Sequence, residues 1–445
     1  MSNLALLGGS KAVQKDPADM FTWPIVTKEM EDSVLEVLRA GKMSDIDVTQ
    51  RFEEGFARWH GVKYALAHNN GTSAIHSAMF GLGIGYGDEV ICPSITYWAS
   101  CLPVYSLGGT VVFADIDPET LCIDPDDIEH RITEKTKAII VVHYTGMPAD
   151  MDAIAEIAQR HRLKIIEDVS HAHGALYKGK LVGTMSDVAC FSIMSGKSLA
   201  AGEGGMLITN DRRIYERAII FGHYERHSSA IQLEDLKAGA GLPWGGYKYR
   251  MHQLTSAVGV IQLRKYREEM EEIDGAMNYF WDQLEETRGI RAHRPSKGSR
   301  TTKGGWYSPL GFYRSEELGG LSIDRFCEAV RAEGAPVSPG CNLPLHLHPV
   351  FNTTDIYGQG KPTRIANLPP GVDIRQTPGS LPVSESIGEK VFSVPWFKHR
   401  RSKVIDEYVA AFRKVSENYK DLLPGDTKGE QVARSWGLSS RLRRQ

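Results

Sequence analysis

The chain has 445 residues, of which 42% are hydrophobic, with 52 Lys and Arg against 55 Asp and Glu for a net charge of −3. This is the composition of a globular protein of two or three units. It has no basic footprint for nucleic acid and no apolar run near the roughly 18 residues of a membrane span.

The start, residues 1–11, has neither a charged region nor a long apolar region of the kind found in secretory leaders. Six cysteines are scattered without a CxxC pair. They are expected as reduced thiols packed as small hydrophobes, in a cytoplasmic protein with no membrane or nucleic-acid partner.

In chain order, short apolar runs at 64–68, 89–93, 111–116, 138–143, 164–168, 188–193 and 206–209 predict strands. The intervening segments 72–82, 98–107, 124–132 and 151–161 read as helical or turn-bounded. Asp124 stands where a cap belongs and Pro125 at the first helical position. Strands alternating with helices of about ten residues predict βα units on a largely parallel sheet. A long helix over 251–273, charged at Arg264, Lys265, Arg267, Glu268 and Glu269, leads into a second unit. That unit has expected helices at 319–333 and 402–419 and strands at 335–339 and 390–396. Residues 352–382, rich in Gly, Pro, Asn and Asp, predict a long loop. The final 424–445 stretch predicts a solvated tail.

Chemistry-bearing residues gather at strand ends. In Asn69-Asn70-Gly71-Thr72-Ser73 a strand runs into a polar loop that opens a helix, which suits either an ordinary cap or an anion site at a helix start. Ser195-Gly196-Lys197-Ser198 resembles the tail of a phosphate-binding loop, but Phe191 stands where that motif needs glycine. Gly81–Gly87 contains no intact GxGxxG. Lys197 is therefore either a surface lysine or an imine-forming amine. Asp168 ends an apolar strand, as a turn former or as the partner of a pyridinium nitrogen. His171 is placed to orient Asp168 or to bond a cofactor oxygen. Tyr97 and Trp98 follow another strand and could cover a flat ring or simply pack. An anion cradle, an aromatic plate, a carboxylate and a lysine together suit pyridoxal 5′-phosphate.

At this point the chain resembles the DegT/DnrJ/StrS sugar aminotransferases, which are fold-type I pyridoxal-phosphate enzymes. The blocks that carry the resemblance are Asn70-Gly71-Thr72-Ser73-Ala74, Gly87-Asp88-Glu89-Val90-Ile91, Glu167-Asp168, His173-Gly174-Ala175 and Phe191-Ser192, then Lys197, Gly202-Glu203-Gly204-Gly205 and Tyr249-Arg250-Met251. The resemblance implies an α/β fold with a large, mostly parallel sheet domain and a smaller α+β C-terminal domain. The expected organisation is an N-terminal arm over 1–30, the large cofactor-binding domain over 31–272, the small domain over 273–423 and the tail.

It also implies roles for individual residues. Lys197 would form the Schiff base and move the proton, and Asp168 would keep the ring nitrogen protonated. Thr72, Ser73 and Ser192 would hold the phosphate, Tyr97 would stack on the ring, and His171 would replace the glutamine of many relatives. Lys248 stands where many relatives have an asparagine that reaches the phosphate of a neighbouring subunit, which implies a homodimer with shared sites. His346 is expected near the acceptor, and no metal site is expected from His346 and His348. The implied activity moves an amino group from Glu or Gln to a ketone of a sugar or cyclitol, in antibiotic or surface-glycan biosynthesis. The alternatives are a sugar dehydratase, which in such relatives has histidine at the Lys197 position, and a non-catalytic cofactor-binding regulator.

Overall fold

Seven apolar runs pair into one sheet. The computed structural model describes residues 2–15 and 17–427. Its strands are β1 (Tyr64–His68), β2 (Glu89–Pro93), β3 (Thr110–Ala114), β4 (Thr136–Val142) and β5 (Lys164–Asp168). A small hairpin of β6 (Leu176–Tyr177) and β7 (Lys180–Leu181) stands apart, and β8 (Val188–Ser192) and β9 (Gly205–Thr209) complete the sheet. The spatial order is β1-β9-β8-β5-β4-β2-β3. Only β9 runs against its neighbours, pairing antiparallel with β1 and β8, and the other pairs are parallel. The C-terminal ends of β1, β2, β5 and β8 therefore lie along one edge, where ligands of such sheets bind.

Both faces of the sheet are covered, so the strands are nearly continuous apolar runs. Alternation still sorts their side chains. Ile139 and Val141 join Phe52, Phe56 and Ile154 on one face. Ala138, Ile140 and Val142 join Ile75, Ala78 and Met79 on the other. The helices α1 (Lys28–Arg39), α2 (Asp47–His60), α3 (Gly71–Gly81), α4 (Pro125–Arg131) and α5 (Met151–His161) follow in chain order. Asp124 caps α4 by accepting the Asp126 N–H. The 98–107 segment divides into two 3-10 turns, Trp98–Ser100 and Leu102–Leu107, because Pro103 cannot donate the bond an α-helix needs there.

The long helix runs over Gln253–Gln283, ten residues beyond the expected end. Ala276, Met277, Phe280 and Trp281 extend its apolar face into a second core. There β10 (Ile290–Ala292), β11 (Leu310–Tyr313), β12 (Ser338–Pro339) and β13 (Val391–Ser393) form an antiparallel sheet in the order β10-β11-β13-β12. Runs of three or four residues are too short for periodicity to mark, so β10 and β11 have no clear sequence signature. Helices Ile323–Ala332 and Ser402–Glu417 pack on this sheet, together with Leu4 and Met20 from the N-terminal segment. Of the expected tail, Asp426 accepts the backbone N–H of Ser322 at 2.9 Å and also its hydroxyl, which pins residues up to 427. The rest of that tail lies outside the described residues.

Residues 352–382 are mostly loop, but the loop is anchored. Arg364, 1% exposed, donates to the Val111 carbonyl at 3.0 Å, and Gln376 donates to that of Phe113 at 2.7 Å. Their side chains thus satisfy carbonyls on β3, the edge strand that would otherwise invite pairing with another chain.

Glu167, immediately before Asp168, is fully buried. It accepts from Gly183 N–H at 2.6 Å and Met185 N–H at 3.1 Å, and pairs with His143 Nε2 at 2.9 Å. These bonds hold its carboxyl below the usual range although burial alone would raise it. Glu167→Ala strands three buried polar groups, so equilibrium unfolding in urea should register a loss of about 3–5 kcal/mol. Glu167→Gln, which keeps an acceptor oxygen, should lose less.

Candidate active site

The first part of the site is where β1 turns into α3. Asn70 caps the helix, its Oδ1 accepting from Ser73 N–H at 2.8 Å. The Ser73 hydroxyl donates to Asn69 Oδ1 at 2.6 Å and Asn70 Oδ1 at 2.8 Å. Ser73 is thus engaged in the cap, while the Thr72 and Ser192 hydroxyls have no hydrogen-bond partner among the described residues. A Cβ on Gly71 would lie 2.7 Å from Ser192 Cβ, so only glycine lets the start of α3 approach the end of β8 this closely. The result is a cradle of free helix N–H groups and two hydroxyls, to which a phosphate would fit. The segment is a capped helix start, and the cap leaves room beside it for an anion.

Asp168 sits at the end of β5. Its Oδ2 accepts from Ser100 Oγ at 2.7 Å and its Oδ1 from Ser170 N–H at 3.1 Å. Ser170 Oγ in turn accepts the Ser192 N–H at 2.9 Å, which links the carboxylate strand to the cradle. A carboxylate fixed in this way at a strand end is suited to face a protonated ring nitrogen.

Lys197 lies in the loop after β8 and is 7% exposed. Its N–H donates to Met194 O at 2.8 Å, and its carbonyl accepts from Trp23 Nε1, also at 2.8 Å. The ammonium stands 4.0 Å from the Tyr307 ring centroid. Burial lowers the amine to about 8, partly opposed by the charge of Asp168. An amine attacks a carbonyl only when unprotonated. Capture of an aldehyde by the cofactor-free protein, followed by stopped-flow absorbance, should therefore accelerate as pH rises and level off above about 8. An ordinary solvated lysine would delay that rise to near 10.5.

His171 stacks on the same ring that faces this lysine, 4.5 Å from Tyr307 at 30°. Its Nδ1 accepts the Thr145 N–H at 3.4 Å. Burial and the nearby Lys197 and His173 hold it well below the ordinary histidine range, so the ring is neutral. Tyr97 is 36% exposed, tilted against Trp98 at 4.9 Å. Its carbonyl accepts from the backbone of Ser100, the residue that bonds Asp168. The plate is thus tied to the carboxylate.

Two expected residues stand elsewhere. Lys248 is exposed, 5.8 Å from the Tyr224 ring centroid, in the loop whose Tyr249 carbonyl accepts from Asn69 N–H. His346 is corrected. It is fully buried, with Nδ1 2.7 Å from Ser94 Oγ and Nε2 3.0 Å from Glu385, so neither nitrogen is available to a substrate. It ties the 345–386 segment to the end of β2. Among the described residues no group of three or more His, Cys, Asp or Glu converges as a metal site.

Sequence reasoning missed Ser100, Ser170, Thr145, Trp23 and Tyr307. Only Tyr307 had a signal, the Gly304-Gly305 pair before it. A Cβ on Gly305 would lie 2.2 Å from that of Ser198, and this close approach brings Tyr307 against the Lys197 loop.

The family model described as the DegT/DnrJ/EryC1/StrS aminotransferase family matches residues 24–413. The chain belongs to that family.

Several relatives illustrate the match. The chain is 31% identical over 442 residues to the L-glutamine:2-deoxy-scyllo-inosose aminotransferase of Micromonospora echinospora, covering 95% of this chain and all of that protein. It is 40% identical over 246 residues to the GDP-perosamine synthase of Escherichia coli O157:H7, covering 54% of this chain and 65% of that one. The crystal structure of an aminotransferase from Psychrobacter cryohalolentis superposes with a TM-score of 0.77 at 28% identity, over 90% of this chain and 100% of that one. The match makes the chain an aminotransferase, and the sheet described above is the fold-type I arrangement of such enzymes. No helix among the described residues is long and apolar enough to cross a membrane.

Proposed function

We propose that this aminotransferase uses pyridoxal 5′-phosphate to move an amino group from L-glutamine or L-glutamate to a keto-cyclitol or simple keto-sugar. The observation that carries this reading is the buried Lys197 amine, in one edge cluster with the Asp168 carboxylate and the phosphate cradle. When bound, the cofactor supplies an aldehyde and a ring that draws electrons from the carbon being deprotonated. Thr72, Ser192 and the first N–H groups of α3 would hold its phosphate, and Asp168 its ring nitrogen. Tyr97 would cover its face.

Lys197 has two tasks. Its amine would hold the cofactor's aldehyde, and its Nζ would receive and return the proton of the donor's α-carbon. A value near 8 lets one amine serve as both base and acid close to neutral pH. Tyr307 and Trp23 keep it aimed, and the aromatic surround excludes water.

The full-length match to the Micromonospora enzyme supports a cyclitol acceptor and a glutamine donor. A second reading, a nucleotide-linked keto-sugar as acceptor, is favoured by the higher identity to the perosamine synthase. We further propose a cytoplasmic homodimer, in which the exposed Lys248 reaches the partner's phosphate cradle.

The test is spectroscopic. L-Glutamine should bleach the visible band of the cofactor-loaded protein, and one of the two acceptor classes should restore it. An inert spectrum would favour a regulator, and turnover of a sugar without consumption of donor would favour a dehydratase.

A further inference from the structure

Thr145 has an unusual conformation for a β-branched residue. Its φ of 49° and ψ of 29° are left-handed, at a cost of roughly 1–3 kcal/mol that surrounding contacts must offset. Those contacts are visible. The Thr145 hydroxyl lies 3.3 Å from His293 Nδ1. Lys303 Nζ lies 3.1 Å from the same nitrogen and donates to the His293 carbonyl at 3.0 Å. His293 Nε2 is 2.9 Å from the Thr120 carbonyl, to which only a ring N–H can bond, so Nδ1 is the acceptor for both donors. His293 follows β10 of the small sheet, whereas Thr145 and His171 follow β4 and β5 of the large one. All four residues are buried.

The Thr145 backbone then settles the chemistry of His171. Because its N–H donates to Nδ1, the neutral ring carries its proton on Nε2. That nitrogen has no hydrogen-bond partner among the described residues. The groups that face His171 are Lys197, His173, Tyr144 and Tyr307. Those facing His293 are Lys303 and Arg291, and Cys122 lies by Lys303. Among the described residues no carboxylate pairs with His171 to draw a second proton onto it.

We propose that Thr145, His293 and Lys303 are positioning residues that hold His171 as the neutral Nε2–H form, an obligate donor to the phenolic oxygen of the bound cofactor. This rests on the pyridoxal-phosphate reading above. A donor at that oxygen stabilises its ionised form, so the relay lowers the pH at which the visible band of the bound cofactor changes.

The experiment is a pH titration of that band in the cofactor-loaded protein. Thr145→Val removes the hydroxyl at nearly constant shape, and its midpoint should rise by about one pH unit. Thr145→Ser keeps the hydroxyl and should restore the native midpoint. An unchanged midpoint in Thr145→Val, or a shift that Thr145→Ser fails to reverse, overturns the relay while leaving the cofactor reading intact. Absence of any visible band in the native protein overturns the cofactor reading and the relay with it. A measurement on the native protein needs no variant. Nitrogen-15 NMR of the ring nitrogens should give His171 as the Nε2–H form between about pH 6 and 8, and the Nδ1–H form contradicts the proposal.

Discussion

Lys197→Ala should leave a folded protein that no longer converts its cofactor with L-glutamine. The loss in the single-turnover rate should be at least about 10²–10⁴-fold, the range set by proton transfer alone, and larger if covalent capture also contributes. The expectation follows from position. Lys197 is the buried amine over Tyr307, and its main-chain contacts to Met194 and Trp23 do not involve the side chain. Circular dichroism and urea unfolding of the variant should therefore stay near those of the native protein. A variant that still turns over within tenfold of native would remove Lys197 from the chemistry.

The second large effect is expected at Asp168. Asp168→Asn keeps an oxygen for the Ser170 N–H, and its amide NH2 can donate to the Ser100 hydroxyl, which then accepts, so the local fold survives, but the negative charge goes. On the proposed reading, the ring nitrogen of a bound cofactor would then lose its proton and the ring would draw electrons poorly. The rate of donor deprotonation, read from the decay of the visible band, should fall by about 10²–10³-fold, as when a charge-stabilising group is removed from other active sites. Cofactor affinity should change less, because the phosphate cradle at Gly71, Thr72 and Ser192 is untouched. Equal losses in affinity and rate would instead mean that Asp168 only builds the pocket.

What sequence alone reveals about this site follows from how local the determinants are. Asp168 and Ser192 terminate apolar strands, Lys197 follows one closely, and Thr72 opens a helix. Each is therefore marked by the punctuation around it, and the parallel order then brings the strand ends to one edge. Ser100, Thr145 and Tyr307 have no such mark. Ser100 lies inside what reads as a helix, whereas it ends a short 3-10 turn from which its hydroxyl reaches Asp168. Tyr307 lies more than a hundred residues beyond Lys197 and reaches it through the second core. His346 misled for the opposite reason. The resemblance implied a place near the acceptor, whereas tertiary packing closes Ser94 and Glu385 over both nitrogens. The small sheet was half legible, since β12 and β13 lie within longer apolar runs and β10 and β11 do not.

The account stands or falls on which amine meets the aldehyde. Among the described residues three lysines are deeply buried: Lys197, Lys303 and Lys398. Borohydride reduction of the pyridoxal-phosphate-loaded protein, followed by peptide mapping, distinguishes them. The label is expected on the peptide carrying Lys197. Label on Lys303 or Lys398, or a protein that retains none, would contradict the account.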